Sequence, residues 1–136
     1  LSGELLKNRI KKRRLKMVSI TKIFKFEAAH YLPSYVGKCH NIHGHSYCLE
    51  IEVSSPIVTE GSGQGMIMDF GLLKEIVERD VISFCDHEHL NSIFSNPTAE
   101  NMVFWVKERL LDSLPGLVRV RLWETDTCYA EWKSKQ

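Results

Sequence analysis

His43-Gly44-His45-Ser46-Tyr47-Cys48-Leu49-Glu50-Ile51-Glu52-Val53 is the stretch on which the fold turns. His45, Tyr47, Leu49, Ile51 and Val53 share one parity, and successive side chains of a strand point to opposite faces. The run predicts a half-buried strand over about 43–54. Upstream, Ile20, Phe24, Phe26, Ala28 and His30 also share a parity, interrupted by Lys22. That predicts a strand over about 18–30. Residues 31–42, with Pro33 and Gly37, read as a long loop between the two. Paired as a hairpin, the strands bring His30 and His43 to the same end of a sheet.

The period then changes. Ser-Ser-Pro and the glycines of 55–65 mark a second loop, and Met66-Ile67-Met68-Asp69 reads as a short extended piece. From Phe70, the residues Leu73, Ile76, Val77, Asp80, Val81 and Phe84 fall at helical spacing. A polar loop over 86–95 follows. Asn96 is a candidate cap and Pro97 a candidate first residue of another helix. Its stripe is Met102, Val103, Val106, Leu110 and Leu114, and Pro115-Gly116 ends it. Val118, Val120, Leu122 and Glu124 then alternate as a third strand, Thr125-Asp126-Thr127 turns, and Cys128 to Trp132 form a fourth. The order β-β-α-α-β-β predicts an α+β fold, an antiparallel sheet with two helices on one face. The bare face and the sheet edges predict burial by oligomerisation.

Three imidazoles carry the first chemical signal. A single His on a strand is ordinarily a satisfied structural residue. His43 and His45 on alternate residues, with His30 closing a neighbouring strand, are harder to read that way. Gly44 between them would let the backbone pass close by. Three neutral nitrogens with an open fourth position are the ligand set of a catalytic zinc. Imidazole also suits copper, iron or nickel, and zinc is the expectation because nothing in the chain suggests redox chemistry. Cys39, four residues before His43, leaves two readings open. It could complete a closed structural site, or stand beside the metal as a thiolate base or nucleophile.

Other residues carry weaker signals. Asp86-His87 pairs a carboxylate with an imidazole, which can fix a tautomer, although a solvated loop explains the pair as well. His40 and His89 read as bystanders. Glu100 sits in a first helical turn, where the helix dipole favours a carboxylate. Glu124 is different, because it has the parity of Val120 and Leu122. A carboxylate on a buried face needs partners, and a flat ligand with two adjacent N–H donors would supply them.

Composition sets the outer limits. The 136 residues, 43% apolar and 26% charged, fit one globular domain. No apolar run reaches the roughly 20 residues of a membrane span. The formal charge of +1 hides an asymmetry: residues 1–16 hold seven of the 18 Lys/Arg against Glu4 alone. This segment is expected to be an extension, non-native or disordered, ahead of a single domain over 17–136 that could begin naturally at Met17. Leu1 suggests an upstream or trimmed start, and a nucleic-acid-binding arm is the alternative. The segment lacks the apolar core of a signal peptide. With imidazoles nearby, Cys39, Cys48, Cys85 and Cys128 are expected as reduced thiols in the cytoplasm.

Taken together, these motifs resemble the superfamily of 6-pyruvoyl-tetrahydropterin and 6-carboxy-tetrahydropterin synthases. The resemblance rests on Phe26-Glu27-Ala28-Ala29-His30, Cys39 to His45, Met68-Asp69-Phe70, Asp86-His87 with Leu90-Asn91, Pro97-Thr98-Ala99-Glu100-Asn101 and Trp123-Glu124-Thr125. It implies the tunnelling fold, assembled as a hexamer of two trimers with sites between subunits. It implies Zn2+ on His30, His43 and His45, and Cys39 as general base working with Asp86 and His87. Glu124 becomes the pterin anchor, with Thr98 and Glu100 as further substrate-binding residues. Three residues between Cys39 and His43 resemble the carboxy branch of the queuosine pathway. That branch converts 7,8-dihydroneopterin triphosphate to 6-carboxy-5,6,7,8-tetrahydropterin, acetaldehyde and triphosphate. The pyruvoyl branch, which eliminates triphosphate and keeps the side chain, is the alternative. A structural zinc domain with a basic arm is an alternative of another class.

Overall fold

The computed structural model describes residues 2–14 and 16–135, without the side chains of 11–14. The expectation attached to Leu1 lies outside them. A helix α1, Gly3–Arg14, precedes strand β1, Met17–His30, and strand β2, His43–Pro56. The two strands pair antiparallel along their whole length, from Met17 opposite Pro56 to His30 opposite His43. Strands β4, Leu117–Thr125, and β5, Cys128–Lys133, extend the sheet beyond β2. The polar loop expected over 86–95 contains a further strand, β3, Glu88–His89, which pairs parallel to Ala28 and Ala29. The sheet is therefore mixed, in the order β3-β1-β2-β4-β5. Its parallel edge was illegible because two residues are too short for an alternating pattern.

Helix α4, Ala99–Leu110, packs on β4 and β5, and helix α2, Phe70–Val77, packs on β1. Phe24, Phe26, Leu49, Ile51, Val120 and Leu122 point into the core beneath them, together with Leu73, Val77, Met102, Val106 and Leu110. Burying each such side chain contributes about 1.5–3 kcal/mol. The opposite parity of the same strands remains uncovered within one chain.

Four local expectations are corrected. Met66–Asp69 forms bends rather than an extended piece, and Asp69 instead caps α2 by accepting from the Gly71 N–H at 2.6 Å. The helix begun by α2 does not keep a 3.6-residue period. It widens into a π turn over Glu78–Ile82 before the short α3, Ser83–Cys85. One extra residue per turn moves the buried position from Phe84, 45% exposed, to Cys85, 1% exposed. Phe84 lies instead under the Arg109 guanidinium, 4.3 Å from its ring centre. The cap of α4 is Thr98 rather than Asn96, and Pro97 precedes the helix. The Thr98 hydroxyl accepts from the Asn101 N–H at 3.1 Å. Finally, β4 starts at Leu117, buried where Val118 had been expected, because the ladder to β2 shifts between Glu52 and Val53.

Candidate metal centre

The β1–β2 register builds the centre. His30 stands opposite His43 and Ala28 opposite His45, so the three imidazoles lie on one face at one end of the hairpin. His30 is 1% exposed. Its Nδ1 lies 2.8 Å from the Pro97 carbonyl oxygen. A carbonyl only accepts, so this nitrogen carries the proton and Nε2 is turned inward. The same holds for His43, whose Nδ1 donates to the Asn41 carbonyl oxygen at 2.7 Å. Such outer contacts fix the tautomer and orientation of metal-binding imidazoles. Tyr47 stacks on Phe26 and brings its hydroxyl to 3.3 Å from His30 Nδ1. Burial pushes that hydroxyl's pKa upward, so it stays protonated.

The fourth member is Glu124. Its Oε1 lies 2.9 Å from His45 Nε2 and 3.4 Å from His30 Nε2. The β4–β5 ladder is irregular between Trp123 and Thr125, with Glu124 between them, and bulges re-aim side chains in this way. Ligand atoms of His30, His43, His45 and Glu124 all fall within 4.8 Å of one another.

The donor set calls for a cation. His30 Nε2 and His43 Nε2 are 3.1 Å apart. Two neutral rings with Nδ1 protonated would aim lone pairs at each other across that gap, beside a carboxylate. His45 Nε2 is buried and makes no aligned hydrogen bond, although Glu124 is close. Nitrogens about 2.0–2.1 Å from a tetrahedral metal lie about 3.3 Å apart, so the spacing suits one. Without a metal, protons do this work. The hydrogen bond to His30 lowers the Glu124 pKa below the usual carboxylate value, aided by the charge of His45. For His30, burial opposes protonation, but Glu124 and the Pro97 carbonyl outweigh it and raise the pKa. At His45 burial prevails, with the neighbouring imidazoles, and lowers it.

The other expected residues are not among these converging ligand atoms. Cys39 is half-buried in a single 3-10 turn, Lys38–His40, its carbonyl accepting from the Leu32 N–H at 2.8 Å. It is not among the converging ligand atoms, where Glu124 stands instead. Asp86 Oδ1 lies 3.0 Å from His87 Nδ1, so the sequence-adjacent pair does meet. A hydrogen bond from the Glu27 N–H lowers the Asp86 pKa, with help from His87. His87 has φ 60°, a left-handed conformation uncommon for a residue with a side chain. No hydrogen bond or ion pair among the described residues joins His87 or Asp86 to Cys39 or to the three imidazoles. Thr98 is held by its capping role, and exposed Glu100 lines a separate cleft with Phe104, Tyr129 and Trp132. Of the two bystanders, His89 packs edge-on against Tyr31.

A cleft of about 490 Å³ opens between β1–β2 and the 86–89 segment, lined by Glu27, Ala29, Gly44, Ser46 and His87. Ala28 and His45 line it as well, so the cleft reaches one of the three imidazoles and His87. A side chain at Gly44 would meet only the Ala28 carbonyl oxygen, at an ordinary 3.7 Å. Close backbone approach is therefore not what Gly44 provides. It keeps this cleft open. The roles of Pro97, Asn41 and Tyr47 were invisible in the sequence, because two act through backbone carbonyls and the third reads as core.

Comparison with known proteins decides the lineage. A family model described as "6-pyruvoyl tetrahydropterin synthase" matches residues 19–135. The chain belongs to the 6-pyruvoyl tetrahydropterin synthase family. It is 40% identical over 119 residues to a Synechocystis protein named 6-carboxy-5,6,7,8-tetrahydropterin synthase, covering 85% of this chain and 92% of that one. A Haemophilus influenzae protein of the same name is 34% identical, with 86% and 99% covered. A Pyrococcus furiosus protein named dihydroneopterin monophosphate aldolase is 39% identical over 102 residues, covering 73% and 82%. In fold, the chain superimposes on a Caenorhabditis elegans 6-pyruvoyl tetrahydropterin synthase with a TM-score of 0.76 at 24% identity, covering 88% and 96%. The α+β expectation and the family resemblance are both borne out. Among the described residues no helix is long and apolar enough to cross a membrane.

Proposed function

We propose that this chain is a zinc-dependent 6-carboxy-5,6,7,8-tetrahydropterin synthase, acting on 7,8-dihydroneopterin triphosphate and feeding queuosine or another 7-deazapurine. The convergence of His30, His43, His45 and Glu124 carries this reading, and the names of the bacterial relatives set the branch. Acetaldehyde and triphosphate leave, and one water is consumed. Two electrons lost by the side chain reduce the dihydropterin ring, so the balance needs no external oxidant.

His30, His43 and His45 would hold the metal. Bound there, zinc acts as a Lewis acid on side-chain oxygens. Once the imidazoles face a metal they no longer donate to Glu124. Its carboxylate is then free to accept two N–H donors of the pterin edge and position the side chain. Cys39 takes and returns protons as general base, with His87 as partner and Asp86 orienting it. Since no hydrogen bond or ion pair among the described residues joins His87 or Cys39 to the imidazoles, we assign them to a site shared between copies in a hexamer. Thr98 and Glu100 add substrate contacts from the start of α4. We place the enzyme in the cytoplasm, with all four thiols free, and read residues 1–16 as an extension outside the catalytic domain.

Product analysis tests the assignment. Zinc-loaded protein given dihydroneopterin triphosphate should release acetaldehyde and a carboxypterin together. Triphosphate without acetaldehyde would return the chain to the pyruvoyl branch. The name of the Pyrococcus relative favours a second reading, aldol cleavage of dihydroneopterin monophosphate. Turnover of the monophosphate in preference to the triphosphate would establish that reading.

A further inference from the structure

Segment 86–91 serves the last residues of β1 as a neighbouring strand would. The Glu27 N–H donates to Asp86 Oδ1 at 3.0 Å, and the Glu27 carbonyl accepts from the His87 N–H at 2.6 Å. Ala28 and Ala29 then pair with Glu88 and His89. There the segment turns away into a 3-10 turn, Leu90–Ser92. Tyr31 would be left with an unpaired N–H and carbonyl at the rim of the metal centre. The Asn91 side chain takes both: the Tyr31 N–H donates to Asn91 Oδ1, and Asn91 Nδ2 donates to the Tyr31 carbonyl, each at 2.9 Å. A primary amide offers an acceptor and a donor side by side, as a peptide group does.

His30 sits inside this arrangement. The peptide joining His30 to Tyr31 is planar, so fixing the Tyr31 N–H fixes the backbone of His30. On its other side, His30 pairs with His43 of β2. The ring is then aimed by the Pro97 carbonyl. Neighbouring Leu90 is fully buried, whereas Asn91 is only half-buried. Leu90 therefore anchors the segment in the core, and the Asn91 amide does something else.

We propose that Asn91 is a positioning residue of the metal centre. Its amide fixes the His30–Tyr31 peptide. Through segment 86–91 it also ties the Asp86–His87 pair to the strand that carries a metal ligand. The proposal rests on reading the three imidazoles as a metal site, but not on which pterin is turned over.

Titration of Zn2+ and Co2+ into metal-stripped protein tests it, with wild type, Asn91→Ala and Ser92→Ala compared. Ser92 makes a good control because its hydroxyl donates to the His89 carbonyl at 2.7 Å, next to Asn91 and with no hydrogen bond to β1 among the described residues. Asn91→Ala should weaken Zn2+ binding by about 10-fold, the low end of what losing a direct outer contact costs, because Asn91 acts through the backbone and not on the ring. It should also change the visible absorption band of bound Co2+. Ser92→Ala should match wild type in both. Unchanged affinity and band in Asn91→Ala, or equal losses in Ser92→Ala, would overturn the proposal alone. Absence of metal binding by wild type would overturn the metal-centre reading and this one with it. Should Asn91→Ala fail to fold, amide exchange of wild-type Tyr31 decides. Protection equal to that of the β1 interior supports the clamp, and exchange at a free-loop rate refutes it.

Discussion

The two faces of one sheet are built by opposite physics. The face under α2 and α4 is apolar along β1, β2 and β4, and only at one end does it turn to imidazoles and a carboxylate. The other face is an ionic lattice. Arg119 pairs with Glu52 at 2.9 Å, Arg121 with Glu131 at 2.8 Å, and the Trp123 Nε1–H donates to Glu50 at 2.5 Å. Charges of both signs alternate there, partly open to solvent, so each pair adds little net stability. The apolar face holds the molecule together. The polar groups at its end are costly to bury and are held by specific partners. That contrast separates stability from chemistry within the same strands.

The largest effect should come from the imidazole end. His43→Ala should weaken Zn2+ binding by more than the roughly 100-fold that outer contacts reach, while far-UV circular dichroism stays native. Retention of wild-type affinity would break the assignment of that end as a metal site. Next comes Cys39→Ala, which should lower turnover by about 10²–10⁴-fold, as loss of a general base does, with metal content unchanged. Loss of metal in this variant would instead make Cys39 a ligand. In the apolar stretch, Leu49→Ala should cost about 2–5 kcal/mol in urea unfolding, through the cavity it leaves. Across the sheet, Arg121→Ala should cost no more than about 1 kcal/mol, and less as salt rises. A large loss there would mean that the lattice, and not only the core, carries stability. Smallest of all is a contrast in thiol chemistry. Burial pushes the Cys85 pKa up to about 12, so iodoacetamide should label exposed Cys128 in the native protein and reach Cys85 only after unfolding. Native labelling of Cys85 would show that the π turn does not bury it.

Much of this was legible along the chain, for local reasons. Period-two alternation gave β1 and β2, and with them the shared end of His30, His43 and His45. Glu124 stood out because a carboxylate on an apolar parity needs a partner. The π turn that exchanges Phe84 for Cys85 was hidden, since a one-residue insertion leaves each half of the helix looking regular. The edge strand Glu88–His89 was hidden by its brevity. Asn91 belonged to a motif of the family resemblance, but its role was hidden, because its two partners are the backbone of Tyr31, 60 positions earlier.

By itself the sequence determined the strand pair, the α+β class, the family and the identity of three imidazoles on one face, since parity and spacing are written in the order of residues. The tertiary structure alone decided that Glu124 reaches His30 and His45. It also decided that backbone carbonyls of Pro97 and Asn41 aim the rings, and that Asp86–His87 makes no hydrogen bond or ion pair with the imidazoles among the described residues. Those outcomes depend on a bulge, on loop paths and on contacts between distant segments. Residue order constrains such features only through the whole fold.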